Sequence, residues 1–210
     1  MDILSEIRQD KLIAILRGVP NDRVVRTLEA LRAGGIRFAE ITFDQRNLPC
    51  APMAIHLAVQ AGYDTIGAGT VMTPAQVDMA ADAGARFIIS PNVDREVIVR
   101  TKERGLVSIP GAFTPSEIAE AVKYGADIVK VFPADVLGTA FIKALVHGPY
   151  GHIPLAAVGG IGAANLRAFL DAGCAAAGIG GKLVDRALIA AGRWSELEAR
   201  AREIRAEADR

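Results

Sequence analysis

Cysteine is scarce in this 210-residue sequence: Cys50 and Cys174 are its only two, and no CxxC pair occurs. Two thiols make no disulfide framework, so a reducing cytoplasm is the expected setting. Excess charge is missing as well, since 24 Lys and Arg face 24 Asp and Glu. A balanced chain lacks the basic footprint of a nucleic-acid or anionic-membrane partner, and neither is expected. His56, His147 and His152 make no HxH or HExxH spacing, so no metal is expected. "GAGT" (67–70) lacks the further glycine of a dinucleotide fingerprint, and no cofactor is expected. The opening segment carries Asp2, Glu6 and scattered charge, which fits neither a secretion signal nor a membrane span. No linker, low-complexity run or composition break appears. Residues 1–210 are therefore expected to form a single domain.

What is present is a repeated grammar. Apolar residues make up 51% of the chain, enough for a substantial core. Helical stretches end in glycine and pass at once into short apolar strands, as in "RAGGIRFAEITF", "QAGYDTIGAGT", "DAGARFIISP", "ERGLVSIPGA", "KYGADIVKVFP" and "DAGCAAAGIGG". "TPAQVDMAADAG" and "TPSEIAEAVKYG" open with Thr-Pro helix starts. Adding "KLIAILRG" and "IPLAAVGG" brings the count to about eight strands alternating with helices. That pattern predicts a parallel (β/α)₈ TIM barrel with additional terminal helices; a doubly wound open sheet is the rival. In the tail, Trp194, Leu197, Ala201 and Ile204 share a helix face, and Glu196–Arg200 and Glu198–Arg202 are spaced as ion pairs.

Polar residues interrupt the strands on one alternating face. Ile13, Ile15 and Arg17 align, as do Phe38, Glu40 and Thr42; Ile66, Ala68 and Thr70; and Ile128, Lys130 and Phe132. If these faces point inward, Arg17, Glu40, Thr70 and Lys130 converge at the C-terminal strand ends, where barrel chemistry collects. Lys130 then has two readings. It is either a structural lysine neutralised by Glu40, or a desolvated amine able to form an imine with a ketone. In the second reading Glu40 moves protons and Arg17 grips a carboxylate with its planar fork. In the first, Arg17 pairs with an acid at the rim and Thr70 only caps a helix. Two glycine pairs, Gly159-Gly160 and Gly180-Gly181, end the last two strands, where backbone N–H groups can hold a phosphate. Lys182 either adds charge to that anion or is solvated.

The ordered set "AILRG", "AEIT", "IGAGTV", "IISPN", "IPGAFTPSE", "VKVFPA", "VGGI" and "GIGGKLV" resembles the 2-keto-3-deoxy-6-phosphogluconate / 4-hydroxy-2-oxoglutarate aldolase family. The resemblance runs from about Leu12 to Val184. It implies a metal-independent class I pyruvate aldolase on a (β/α)₈ barrel, usually a homotrimer, acting on a small 2-oxo acid or sugar acid phosphate. It makes Lys130 the Schiff-base lysine and Glu40 the acid–base group. Thr70, Pro91 and Phe132 are implied as pocket residues, and Gly159, Gly160, Gly180 and Gly181 as the phosphate site. Some members carry an arginine four residues after the glutamate, where this chain has Asp44; others carry one at the end of the first strand, as Arg17 is. Gluconate-type members often read T-G-G where this chain has Val158-Gly159-Gly160, and "AILRG" and "AVGG" resemble the phosphogalactonate subgroup. "TFDQRN" matches neither subgroup. The leading expectation is reversible cleavage of 2-keto-3-deoxy-6-phosphogluconate, with 4-hydroxy-2-oxoglutarate as a further substrate, to pyruvate and an aldehyde such as glyceraldehyde 3-phosphate. The alternatives are the galactonate epimer, a phosphosugar isomerase or epimerase, and a non-catalytic sugar-phosphate-binding barrel.

Overall fold

The computed structural model describes residues 2–210. After α1 (Ile3–Asp10) the chain alternates: β1 (Leu12–Leu16), α2 (Asn21–Ala33), β2 (Phe38–Thr42), α3 (Cys50–Gln60), β3 (Ile66–Gly69), α4 (Pro74–Asp82), β4 (Phe87–Ile89), α5 (Arg95–Glu103). Then come β5 (Val107–Ile109), β6 (Gly111–Ala112), α6 (Pro115–Lys123), β7 (Val129–Val131), α7 (Ala134–Val146), β8 (Leu155–Val158), α8 (Ala163–Asp171), β9 (Ala176–Ile179), α9 (Arg186–Ala190) and α10 (Trp194–Asp209). The boundaries follow local chemistry. Thr73 caps α4, and Thr114 with Glu117 makes a capping box on α6, each followed by a first-turn proline. The glycines that close the repeated helix ends (Gly35, Gly62, Gly84, Gly105, Gly125 and Gly173) all have positive φ.

All pairings are parallel, in the order β5-β4-β3-β2-β1-β9-β8-β7-β6. The two ends of that order, β5 and β6, are separated in sequence by Pro110 alone. They are halves of one stave, interrupted where proline has no N–H for the ladder. The Pro110 carbonyl accepts from Lys130 N at 2.9 Å and Ile109 O accepts from Ser90 N at 3.3 Å, so the broken stave binds neighbours on both sides. The strands thus close as an eight-stave (β/α)₈ barrel.

Two apolar cores follow from strand parity. Ile13, Phe38, Phe87, Ile89, Ile109, Ile128, Ala156 and Ala176 fill the barrel, plugged from below by Ile3 and Ile7 of α1. Leu12, Ala14, Ala39, Ile41, Val129, Val131, Leu155 and Ala157 face the helix layer. The Ile13, Phe38 and Ile128 faces therefore point inward, and with them Glu40 and Lys130.

The third strand departs from expectation. Ile66 and Ala68 pack outward, and its inward positions are Gly67 and Gly69. A Cβ on Gly67 would lie 2.3 Å from Phe87, and one on Gly69 would lie 2.4 Å from Glu40 Oε2. β3 gives up its inward side chains to the bulk of its neighbours, and parity read from the apolar residues chose the wrong face. The tail helix buries Leu197, Ala201, Ile204 and Ala208 against α2 and α8. Glu198–Arg202 forms as spaced. Arg200 instead pairs with Asp185 at 3.1 Å, and Glu196 with Arg193.

Candidate active site

A cavity of about 930 Å³ opens at the C-terminal end of the staves. Its wall includes every residue singled out from sequence: Arg17, Glu40, Thr70, Pro91, Lys130, Phe132, Val158, Gly159, Gly160, Gly180, Gly181 and Lys182.

Glu40 and Lys130 are the buried ionisable groups of that wall, 3% and 6% exposed. Staves on opposite sides of the barrel hold them, Glu40 on β2 beside Ile15 of β1 and Lys130 on β7 beside Ala156 of β8. Burial is the main influence on both. It pushes the Glu40 carboxyl up to about 7, against a smaller opposing pull from Lys130 and Arg17. It pushes the Lys130 amine down; Glu40 opposes that shift and Arg17 adds to it. Burial thus eases Lys130 toward its free amine, in the same cavity as a carboxyl that can give and take protons near neutrality. Glu40 Oε2 is buried against Gly69 and has no hydrogen-bond partner among the described residues, so no structural bond holds that oxygen. The ring of Phe132 lies 4.9 Å from Lys130 Nζ, an apolar face against the amine.

Thr70 reaches the cavity by another route than strand parity. It follows β3 with φ 57°, in the left-handed region, at a cost of about 1–2 kcal/mol for a β-branched residue. The turn brings it alongside Glu40's seat on Gly69.

The two glycine pairs have different reasons. Gly159 (φ 96°) and Gly160 (φ 68°) are demanded by the fold: a Cβ on them would lie 2.9 Å from Pro133 and 1.9 Å from Asp135 Oδ2. Gly181 has open space around it, and Gly180 nothing nearer than 4.0 Å, so packing does not require either. Among the described residues, the N–H groups of Gly160, Ile161, Gly181 and Lys182 donate to no backbone acceptor. The Lys182 ammonium ties the two loops together by donating to Gly160 O at 2.6 Å. Unfilled amides beside a lysine suit an anion.

The cavity wall also carries residues that strand parity could not find: Asn21, Gln45, Arg46 and Arg186, all from loops or helix starts. Their charge is lopsided. Arg17, Arg46, Lys130, Lys182 and Arg186 face only Glu40 and Asp44, and Asp44 already pairs with Arg46 at 3.4 Å. In a chain with no net charge, that concentration favours a ligand with negative charge at more than one point. No group of three or more His, Cys, Asp or Glu side chains placed to hold a metal occurs among the described residues.

A parallel barrel with a desolvated lysine–carboxyl pair at its mouth defines the class of aldolase-type barrel enzymes. A sequence profile of the KDPG and KHG aldolase family matches residues 3–200, and the chain belongs to that family. A 2-dehydro-3-deoxy-6-phosphogalactonate aldolase of Escherichia coli strain K12 is 40% identical over 174 residues, covering 82% of this chain and 83% of its own length. A 2-dehydro-3-deoxy-phosphogluconate aldolase of Haemophilus influenzae strain Rd is 31% identical over 204 residues, covering 96% of this chain and 94% of its own length. The solved KDPG aldolase of Legionella pneumophila, with pyruvate captured as a covalent carbinolamine, has a TM-score of 0.87 at 29% identity, covering 97% of this chain and 98% of that one.

Proposed function

We propose that this chain is a class I aldolase that reversibly cleaves 2-keto-3-deoxy-6-phosphogluconate to pyruvate and glyceraldehyde 3-phosphate. The observation that carries the reading is the buried Lys130–Glu40 pair, with opposite proton affinities from the ordinary, in one cavity. The free Lys130 amine attacks the C2 ketone. Loss of water from the carbinolamine leaves an iminium. The C4 hydroxyl gives its proton to Glu40 as the C3–C4 bond breaks, and that electron pair enters the iminium to form an enamine. Glyceraldehyde 3-phosphate leaves. The enamine takes a proton at C3, and hydrolysis of the resulting imine frees pyruvate and Lys130. Arg17 holds the substrate carboxylate. The N–H groups of the glycine loops, with Lys182, hold the phosphate.

The C4 epimer, 2-keto-3-deoxy-6-phosphogalactonate, is the second reading. Arg17 at the end of β1, Val158 in place of a threonine, and the 40% identity to a phosphogalactonate aldolase favour it. A site without the threonine hydroxyl has one fewer group with which to read a substrate OH. Pyruvate release from each epimer, with borohydride reduction in the presence of pyruvate, tests both. The expected result is cleavage of at least one epimer and a stable adduct on Lys130. Release from neither, with no adduct, rejects the aldolase reading.

The phosphate arm has its own test. Gly181→Ala meets no protein atom within 4 Å. Folding stability is expected to stay near the parent's. KM for the phosphorylated substrate is expected to rise about tenfold as the new methyl crowds the anion. An unchanged KM places the phosphate elsewhere.

A cytoplasmic homotrimer completes the proposal. Both cysteines are free thiols, and no helix among the described residues is long and apolar enough to cross a membrane. Met53 and Val136 are 53% and 70% exposed, apolar surface suited to subunit contact. Sedimentation equilibrium at a mass of three chains is the expected result.

A further inference from the structure

The segment "TFDQRN", which matches neither subgroup well, holds a side chain that ties down Thr70. Asp44 and Asn47 close a tight turn, with Asn47 N donating to Asp44 O at 2.9 Å and Asp44 Oδ1 accepting from Arg46 N at 2.9 Å. Gln45 stands at its corner. Its Nε2 donates to Thr70 O at 2.9 Å, and its Oε1 accepts from Gln76 Nε2 at 2.7 Å. Gln76 is buried, and its Oε1 accepts from Met72 N at 2.7 Å. The direction of this chain is fixed at both ends by backbone. Met72 N can only donate and Thr70 O can only accept, so each amide has one consistent orientation.

The chain stands where strand pairing runs out. Phe43 N donates to Gly69 O at 2.8 Å and Val71 N to Ile89 O at 3.2 Å, so the ladder holds either side of Thr70. Thr70 itself, at φ 57°, has its carbonyl taken by a side chain. A left-handed β-branched residue persists only where its surroundings over-determine it. Gly69, directly before it, is the surface on which Glu40 Oε2 rests.

We propose that Gln45 is a positioning residue for the aldol reaction: through the Gln45–Gln76 amide chain it holds Thr70 in the left-handed turn that brings it into the cavity, and so keeps Gly69 and the Glu40 carboxyl in register with Lys130. It touches no reacting atom. The loop that follows the Glu40 strand closes over the next strand end and locks it. The inference rests on the proposed aldolase reading.

Gln45→Glu tests it. The substitution keeps size and the acceptor for Gln76 but, ionised, removes the donor to Thr70. We expect kcat to fall about tenfold or more, a loss typical of small misplacement in a site. KM is expected to rise in this variant, because the new carboxylate faces an anionic substrate, while the melting temperature is expected to move by no more than about 2–4 °C. Gln45→Ala is expected to match it in kcat. A double-mutant cycle supplies the readout that a merely structural role does not move. Thr70→Gly removes the penalty on the left-handed turn, so Gln45→Ala is expected to cost far less in kcat in that background than in the parent. Parental kcat in Gln45→Glu, or an equal cost of Gln45→Ala in both backgrounds, overturns the inference. Lys130→Ala run alongside separates the two levels. If it stays active the aldolase reading fails; if it is dead while Gln45→Glu is unimpaired, only the role of Gln45 fails.

Discussion

Lys130→Ala is expected to lower turnover by about 10⁴-fold or more, because the nucleophile and the base act as a unit and losing either removes nearly the whole effect. The same variant is expected to give no borohydride adduct with pyruvate. Its fold should survive. Lys130 is 6% exposed, its amine is held below its ordinary proton affinity by burial, and alanine removes that desolvated group from the barrel interior. Such sites give up stability for chemistry, so the melting temperature is expected to hold or rise. Circular dichroism together with the trapping assay checks both halves. Turnover near the parental rate would reject the imine.

Glu40→Gln carries the second large effect, in rate and in pH dependence. Loss of a positioned acid–base group is expected to cost about 10²–10⁴-fold in kcat. In the parent, kcat/KM for cleavage is expected to rise with pH through about 7, where Glu40 becomes able to accept the C4 hydroxyl proton. That limb is expected to vanish in the variant. Stability moves with the opposite sign. The folded chain holds the Glu40 proton more tightly than the unfolded chain does, from an ordinary 4.5 to about 7. Between those values the folded state binds more protons, so the parent loses stability as pH rises, by roughly 3 kcal/mol in all. A neutral amide has no such loss. Glu40→Gln is therefore expected to be the more stable protein at pH 8, with the gap closing by pH 4.5. Denaturant melts at the two pH values measure it. An equal gap at both would mean that burial does not raise this carboxyl.

How much of this was legible beforehand can be judged residue by residue. The barrel was legible because each helix stop and strand is local. The glycines after the helices have positive φ, and Thr73 and Thr114 cap their own helices. Glu40 and Lys130 were legible because a charge amid alternating apolar residues has few places to go, and the inward face of β2 and β7 placed both correctly. β3 was not. Its inward positions are Gly67 and Gly69, whose room is taken by Phe87 and Glu40, and glycine carries no hydrophobic signal to read. Thr70 entered the cavity list for the wrong reason, since a left-handed turn and not strand parity brings it there. The glycine pairs looked alike in sequence, yet Gly159 and Gly160 answer to Pro133 and Asp135, while Gly180 and Gly181 answer to nothing in the chain.

The chain's own order of residues thus determined the alternation of helix and strand, the closed parallel barrel, and the two ionisable groups at its heart, because these depend on periodicity and on local turn chemistry. Only the tertiary structure decided which face of β3 looks inward, how Thr70 is turned, that Gln45 and Gln76 meet across two loops, and that five cations crowd one cavity around two acids. Those are contacts between residues far apart in the chain. Their energies depend on distance and burial, which no local pattern encodes.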